Sequence, residues 1–557
     1  MTNYPKLIVI GLDGATFDII QPMVGRGELP TFARLMAEGA GGVLMSTIPP
    51  VSPQAWSSFL TGVHPGRHGV FGFLGKPQGR FYRRPIRTSR DIMVPTLFHI
   101  AGEAGRRVAA FGVPMTYPPS PINGVVVPEQ LGLPHSYPSH VWDDLVAAVG
   151  DPRDPATHIR YIFTQDKRGY VARQEELLEI QRRAVHWLLD REAFDLFAVV
   201  FHVSDRLAHY VWKYMDTNHP DHRTEWAEML GDALPGLYRQ LDTIIGELWE
   251  RLGPDGTLVV MSDHGFGPLY KHVFLNKWLC KRGWLAVRPL SYRLASLRYP
   301  WPLLRVFNAA ARKMRLPHLA LPIGRWQKPI DPRLYDPRFY FDANLLIDWS
   351  RTQVYSGNSD EQGLYINVRG REPCGVVSPG SKYEILRHTL RQALMSVTDP
   401  EDEQPVVERV WFREEIYNGP YLEYAPDLVI QSRNHRYMPL TSFFSPDVVR
   451  PSLHLSGTHR PDGICLFAGP PIRTGVSIKG ASIVDLAPTA LYLLGVPVPK
   501  HMEGRVLKEA LTSEWQDTHP IHRTSFTVGT GPKHTSDLTD EEEAAAEAHL
   551  RGLGYIG

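Results

Sequence analysis

Short, wholly apolar runs alternate along the chain with longer segments whose apolar residues recur at helical spacing. The clearest run sits in Lys6-Leu-Ile-Val-Ile-Gly-Leu-Asp-Gly14. With no polar residue to face water, it predicts a strand buried on both faces, as in a parallel sheet. The pattern returns at Arg107–Val113, Phe194–His202, Gly256–Ser262, Gly363–Val368, Asp427–Ile430 and Ile464–Ala468. Between these runs the spacing predicts helices at Leu29–Gly39, Gln54–Leu60, Pro95–Ala104, Glu175–Asp190, Trp226–Leu252, Ser381–Val397 and Ser482–Gly495, with Gly39 and Gly62 as stops. Pro114–Pro138 is dense in proline and glycine and predicts a long surface or site-lining loop. Strands alternating with helices predict an α/β sandwich around a central, mostly parallel sheet.

Length and charge refine this picture. A chain of 557 residues is too long for one simple core. Apolar content of 43%, charged content of 21% and a net charge of +1 suit a globular protein with no global bias toward nucleic acid, so no specific nucleic-acid partner is expected. One region departs from the average. From His264 to Ile330 there is no Asp or Glu but there are thirteen Lys and Arg, and Leu303, Leu304, Phe307, Ala310, Ala311 and Met314 recur at helical spacing. Residues 270–345 are therefore expected to be a basic cap inserted into a discontinuous catalytic domain, 1–269 and 346–511. The cap reads as a solvated surface, as a lid that draws in anionic substrates, or as a face resting on an anionic membrane through 281–328. The remaining 512–557 form a polar tail, with Thr539-Asp-Glu-Glu542 as a capping box for a final helix.

Cys280, Cys374 and Cys465 are sparse and lack metal-ligand spacing, which points to a reducing compartment. Leu7–Ile10 is too short for a signal h-region, and nowhere do eighteen apolar residues follow one another. The expectation is a cytoplasmic protein.

Chemistry-bearing residues collect just beyond the apolar runs. Asp13 ends the first, where an Asp-Gly turn would also account for it. In Pro49-Pro-Val-Ser-Pro53, the prolines hold Ser52 in a rigid turn before a helix start. There its hydroxyl is either an N-cap or a nucleophile beside a site that favours anions. Asp205 and His209 lie four apart, on one helical face, and can pair at the surface or share a divalent ion. Asp263-His264 follow another strand, with Gly265 and Gly267 permitting a sharp turn. His459 sits in a glycine-bounded loop before Ile464–Ala468. Together these are three carboxylates, three imidazoles and one hydroxyl, without a thiolate: the inventory of a two-metal site for Zn²⁺, or Mn²⁺. Metal coordination is one way to activate a serine, and two ions about 4 Å apart can stabilise the attacking and leaving oxygens of a displacement at phosphorus.

The motifs Leu12-Asp-Gly14, Pro50-Val-Ser-Pro53, Ser58-Phe-Leu-Thr-Gly-Val-His-Pro-Gly-Arg-His-Gly69, Ser204-Asp-Arg-Leu-Ala-His209, Ser262-Asp-His-Gly-Phe-Gly267 and Ser456-Gly-Thr-His459 resemble the type I phosphodiesterase/nucleotide pyrophosphatase family of the alkaline phosphatase superfamily. The resemblance runs from Ile8 to about Leu507. It implies an alkaline-phosphatase-like three-layer sandwich and hydrolysis of a phosphodiester or pyrophosphate bond. It further implies that Asp13, Ser52, Asp263 and His264 hold one metal, and Asp205, His209 and His459 the other. Ser52 would form a phosphoseryl intermediate that water then hydrolyses. The substrate expected is a small phosphate ester. A phosphomonoesterase, a phosphonate hydrolase, a headgroup transferase and an inactive anionic-lipid-binding relative are the alternatives. Members of the family usually carry threonine at Ser52, and an asparagine that bonds a phosphate oxygen where this chain has Phe73. The x-Pro-x-Arg sequence of sulfatases is missing after Ser52.

Overall fold

The computed structural model describes residues 5–79, 82, 84–129, 133–153, 166–288, 346–442, 445–452, 454–526 and 538–552. The helically spaced residues 303–314, and with them most of the expected basic cap and membrane-facing segment, lie outside the described residues.

Strand β1 (Leu7–Leu12) is buried along its whole length. Its side chains divide between two cores because successive residues of a strand point to opposite faces. Ile8, Ile10 and Leu12 join Phe32, Leu207, Leu241 and Ile245 on one side of the sheet. Leu7 and Val9 join Trp56, Phe59, Leu97 and Leu491 on the other. An apolar run with no alternation is thus what a strand covered by helices on both faces requires, each buried Leu or Ile contributing about 1.5–3 kcal/mol.

The central sheet also contains β2 (Ala40–Met45), β3 (Val108–Phe111), β4 (Gly124–Val127), β5 (Leu196–Phe201) and β6 (Thr257–Met261). From edge to edge the order is Val476–Ser477, β2, Asp462–Ala468, β6, β1, β5, β3 and β4, with Ala481–Ser482 also pairing with β2. β6, β1, β5, β3 and β4 are parallel, whereas Asp462–Ala468 runs antiparallel to both β2 and β6. The parallel core matters for function: β1, β5 and β6 end at the same edge, and Asp13, His202 and Asp263 follow directly there.

Two local expectations are refined. The proline-rich 114–138 segment contains β4, whose three consecutive valines suit an edge strand despite the turn-forming residues around them. The long helix expected over 226–252 is two, Thr224–Leu230 and Ala233–Glu250, with Gly231 closing the first. Beyond the central sheet, an antiparallel sheet of Val407–Phe412, Leu428–Ser432, Gly363–Ile366 and Val354–Tyr355 shares a third core with Trp278, Leu285 and Leu346. The final helix, Asp540–Gly552, opens on its capping box: Glu542 N–H donates to Thr539 Oγ1 at 3.2 Å and Thr539 N–H to Glu542 Oε2 at 2.8 Å. Its Ala546 and Leu550 pack against Phe73, Ile86 and Tyr117. Among the described residues, no helix is long and apolar enough to cross a membrane.

Candidate active site

Ser52 is the first residue of a helix, Ser52–Thr61, that is buried throughout and ends where Gly62 takes φ +66°. Val51, extended, is the N-cap and supplies no side-chain bond. The Ser52 hydroxyl turns away from capping and lies 3.3 Å from His264 Nε2. Backbone carbonyls left free by the prolines anchor this loop. Gln54 Nε2 donates to Ile48 O at 2.9 Å, the Tyr417 hydroxyl donates to the same carbonyl, and Thr47 Oγ1 donates to Pro49 O at 2.9 Å. His68 braces the far end of the stretch. Its Nδ1 accepts from Val70 N–H at 3.2 Å, so Nε2 donates to Ser58 Oγ at 3.0 Å, and burial pushes its pKa down to about 3.

Each remaining sequence-predicted residue arrives on its own element. Asp13 follows β1 in a turn where Gly14 adopts φ +67° and donates its N–H to Asp263 Oδ1 at 3.3 Å. Asp263 and His264 follow β6. Asp205 and His209 share a face of the helix Val203–Met215, which starts directly after β5. His459 is on Gly457–Arg460, a strand paired antiparallel with Gly265–Pro268, and its ring stacks on that of His264 at 3.7 Å. Serine hydroxyls tie the strand ends together: Ser204 Oγ donates to Asp13 O at 2.7 Å and Ser262 Oγ to Ala15 O at 2.9 Å.

All seven residues converge. His264 Nε2 stands 3.5 Å from Asp13 Oδ1 and 3.4 Å from Asp263 Oδ2. Asp205 Oδ1 is 3.4 Å from His209 Nε2 and 3.2 Å from His459 Nε2, and these two nitrogens are 3.1 Å apart. Two donor triads each fall within 4.8 Å, Asp205/His209/His459 and Asp13/Asp205/His264, so Asp205 stands where the two groups join.

The hydrogen bonds on the outer side of the rings favour one tautomer. His209 Nδ1 faces Gly457 O at 3.0 Å, His459 Nδ1 faces Pro50 O at 2.9 Å, and His264 Nδ1 faces Gly265 O at 3.0 Å. A carbonyl only accepts, so each Nδ1 carries a proton and Nε2 is the nitrogen that each ring turns inward. Asp13 Oδ1 and Asp263 Oδ2 are buried carboxylate oxygens that accept no hydrogen bond from a described donor. Inward-facing Nε2 atoms and carboxylate oxygens that accept from no described donor fit divalent cations. The electrostatics agree. Burial, with the neighbouring charges of Asp13 and Asp205, pushes Asp263 well above the usual carboxylate range. Burial acts the same way on Asp205, but His209 and His459 outweigh it and hold that carboxyl well below the range. Burial and His459 lower His264 to about 4.

The structure adds residues that the sequence did not single out. His202, one residue past β5, faces Asp13 Oδ2 through Nδ1 at 3.0 Å and Gly112 O through Nε2 at 2.6 Å. Burial works against its protonation, but Glu129 and Asp13 raise its pKa overall. Glu129 also lies 3.7 Å from Arg206, and both face the recess that opens beside Ser52, together with Phe73 and Met115. The available signal was position alone: His202 ends an apolar run, and Arg206 adjoins Asp205.

The family model for type I phosphodiesterase/nucleotide pyrophosphatase matches residues 7–459, a span that includes every one of the seven residues. No curated protein matches the chain. Among solved structures, human ectonucleotide pyrophosphatase/phosphodiesterase 5 is 13% identical, with 91% of this chain and 100% of that one covered at a TM-score of 0.50. Phosphonoacetate hydrolase from Sinorhizobium meliloti 1021, in complex with phosphonoformate, is 14% identical, with 88% and 96% covered at a TM-score of 0.54. At such identities the structural likeness speaks for the fold, an α/β sandwich of the alkaline phosphatase type. The match of the family across most of the chain goes further: this protein belongs to the type I phosphodiesterase/nucleotide pyrophosphatase family.

Proposed function

We propose that the protein is a metal-dependent hydrolase of phosphorus esters, with phosphodiesters and pyrophosphates as its first substrate class and Ser52 as its nucleophile. The observation that carries this reading is the convergence of three inward-facing Nε2 atoms and two carboxylate oxygens that accept from no described donor, beside one serine hydroxyl. Asp13, Ser52, Asp263 and His264 would hold one divalent ion and Asp205, His209 and His459 the other, with Asp205 close enough to serve both; Zn²⁺ suits the nitrogen and oxygen donors, and Mn²⁺ is the alternative. When bound, the ions supply Lewis acidity that lowers the pKa of the serine hydroxyl and offsets charge on the phosphoryl oxygens.

The chain's own residues do the rest. The start of the Ser52–Thr61 helix sets Oγ beside His264, at 3.3 Å from Nε2, and favours negative charge there. Oγ gives up its proton and forms a bond to phosphorus as the bond to the leaving oxygen breaks, and the departing alkoxide or phosphate takes up a proton. Water then attacks the phosphoseryl group, the P–Oγ bond breaks, and the serine hydroxyl is restored.

A second reading, a phosphomonoesterase or phosphonate hydrolase with the same serine chemistry, is favoured by one observation. Phe73 stands where the family places a phosphate-binding asparagine, and its N–H is committed to Asp360 Oδ2 at 2.8 Å.

The test is a panel of p-nitrophenyl phosphate, bis-p-nitrophenyl phosphate and p-nitrophenyl sulfate on metal-loaded enzyme. Turnover of a phosphate substrate but not of the sulfate is expected. Ser52→Ala is expected to lose at least about 10³-fold in kcat with bound metal unchanged. Substantial residual turnover would refute the nucleophile assignment.

A further inference from the structure

The candidate metal ligands differ in what holds them from behind. His209, His264 and His459 each turn Nδ1 to a main-chain carbonyl, and Asp263 Oδ1 accepts from the N–H of Gly14 at 3.3 Å. Asp13 departs from this pattern. Its Oδ2 faces a side chain, the imidazole of His202, whose Nδ1 stands 3.0 Å away.

The sheet brings that imidazole into place. β5 lies between β1 and β3, pairing Phe201 with Leu12 and Val199 with Phe111, so Asp13, His202 and Gly112 follow three adjacent strand ends. His202 is the N-cap residue of the helix Val203–Met215, yet its side chain makes no capping bond. Instead Nε2 donates to Gly112 O at 2.6 Å. That carbonyl is itself fixed. Gly112 takes φ +67°, its N–H donates to Val127 O at 2.8 Å, and a Cβ there would meet Val200 O at 2.8 Å. The buried ring thus spans from the end of β3 to the end of β1.

Two consequences define what this ring can do. Both of its nitrogens are taken up within the fold, so it delivers no proton to a substrate without giving up a contact. The contact also makes the two oxygens of Asp13 unequal. Whichever partner carries the proton between them, Oδ2 is occupied, while Oδ1 accepts from no described donor and lies 3.5 Å from His264 Nε2. Glu129 Oε1, 4.0 Å from His202 Nδ1, is beyond hydrogen-bonding reach and does not compete for that nitrogen. An outer partner of this kind fixes the angle at which a carboxylate meets a metal ion.

We propose that His202 is a positioning residue: anchored on the Gly112 carbonyl, it holds Asp13 Oδ2 and so commits Oδ1 to the divalent ion shared with Ser52, Asp263 and His264. The proposal rests on the metal-dependent Ser52 reading above and adds the residue that sets one ligand's angle.

The experiment compares full-length wild type with His202→Asn, His202→Gln and His202→Phe. Asparagine keeps an N–H donor at the reach of Nδ1, glutamine keeps one at the reach of Nε2, and phenylalanine keeps neither. Zn²⁺ binding to metal-stripped protein is read by competition with a chromogenic chelator. Tm is measured alongside, with kcat and KM on bis-p-nitrophenyl phosphate at limiting and at saturating Zn²⁺. His202→Gln and His202→Phe are expected to weaken one of two ions by about 10–100-fold and to leave the other within about threefold. His202→Asn is expected to hold both ions within about threefold of wild type. At limiting Zn²⁺, kcat should fall in the same order with KM little changed, and excess Zn²⁺ should restore most of it. A ring with a merely structural role would give the reverse order, since glutamine preserves the bond to Gly112, or a parallel loss of Tm and of both ions. Either result overturns the proposal, as does unchanged Zn²⁺ affinity in His202→Gln. A wild type that binds two ions but turns over no phosphate ester would overturn the Ser52 reading alone, because the affinities are read without turnover.

Discussion

Two walls enclose the Ser52 hydroxyl, and they are made differently. One is the sheet edge, where Asp13, Asp205, His209, Asp263, His264 and His459 project from the ends of β1, β5 and β6 or from elements joined directly to them. The other is assembled from distant pieces: Phe73 and Met115 from loops, Glu129 from just beyond β4, Arg206 from a helix, with Leu550 of the final helix packed behind Phe73. The first wall carries polar atoms aimed at a common point and braced by main chain. The second carries shape and one ion pair. On the function proposed above, reaction chemistry resides on the sheet edge, whereas the choice of substrate resides on parts gathered from separate loops and helices.

Changes on each wall should separate these roles. The largest effect is expected at the sheet edge: His459→Ala or His209→Ala should remove about one bound ion of two, metal affinity falling by at least about 10–100-fold, as measured by elemental analysis after dialysis. An unchanged metal-to-protein ratio would break the comparison at its root. Next, Leu550→Ala opens a cavity behind Phe73, where Leu550 is fully buried. It should cost about 2–5 kcal/mol in denaturant unfolding and raise KM while metal content stays constant. Loss of metal in this variant would show that the walls are not independent.

The smallest effect concerns pH. Asp360, whose Oδ2 accepts from Phe73 N–H, is buried; burial first, and then the charge of Glu361, raise its pKa to about 7. Its other oxygen, Oδ1, is buried and accepts no hydrogen bond from a described donor, an environment that suits the protonated form. Folded protein thus keeps a proton that the unfolded chain releases near pH 4. The stabilisation is complete below that pH and is lost as pH rises through about 7, with a slope of at most about 1.4 kcal/mol per unit. Asp360→Asn should flatten this part of the profile of unfolding free energy against pH. A profile identical to that of wild type would assign the slope to other groups.

The same division explains what could be read from the chain itself. Burial on both faces forces a strand to be apolar throughout, so β1, β5 and β6 stand out as runs, and any polar residue ending a run marks the functional edge. Asp13, Asp263 and the Asp205/His209 pair were legible for that reason, and Ser52 and His459 became so through motif order. His202 obeys the same rule, yet its partners Asp13 and Gly112 are brought to it only by strand pairing between β1, β5 and β3. Met115 and Glu129 were hidden in a segment that local turn chemistry marks as loop, and β4 with them. Arg206 sits inside a legible motif, but nothing in residue order reveals that it faces Glu129 across 77 positions of chain.

The inward aim of the three imidazoles depends on acceptors that belong to the main chain, the carbonyls of Gly457, Pro50 and Gly265. A Cβ at Gly457 or Gly265 would stand 2.5 Å from Ala208 O or 2.2 Å from Asp462 O, so these two acceptors stay in place only while the positions remain glycine, whereas the residues around them are free to change. Drift in the surrounding side chains can then proceed without rotating the ligands. A centre braced in this way can outlast nearly all recognisable likeness between two sequences, because what must be inherited is the path of the chain and only a handful of letters upon it.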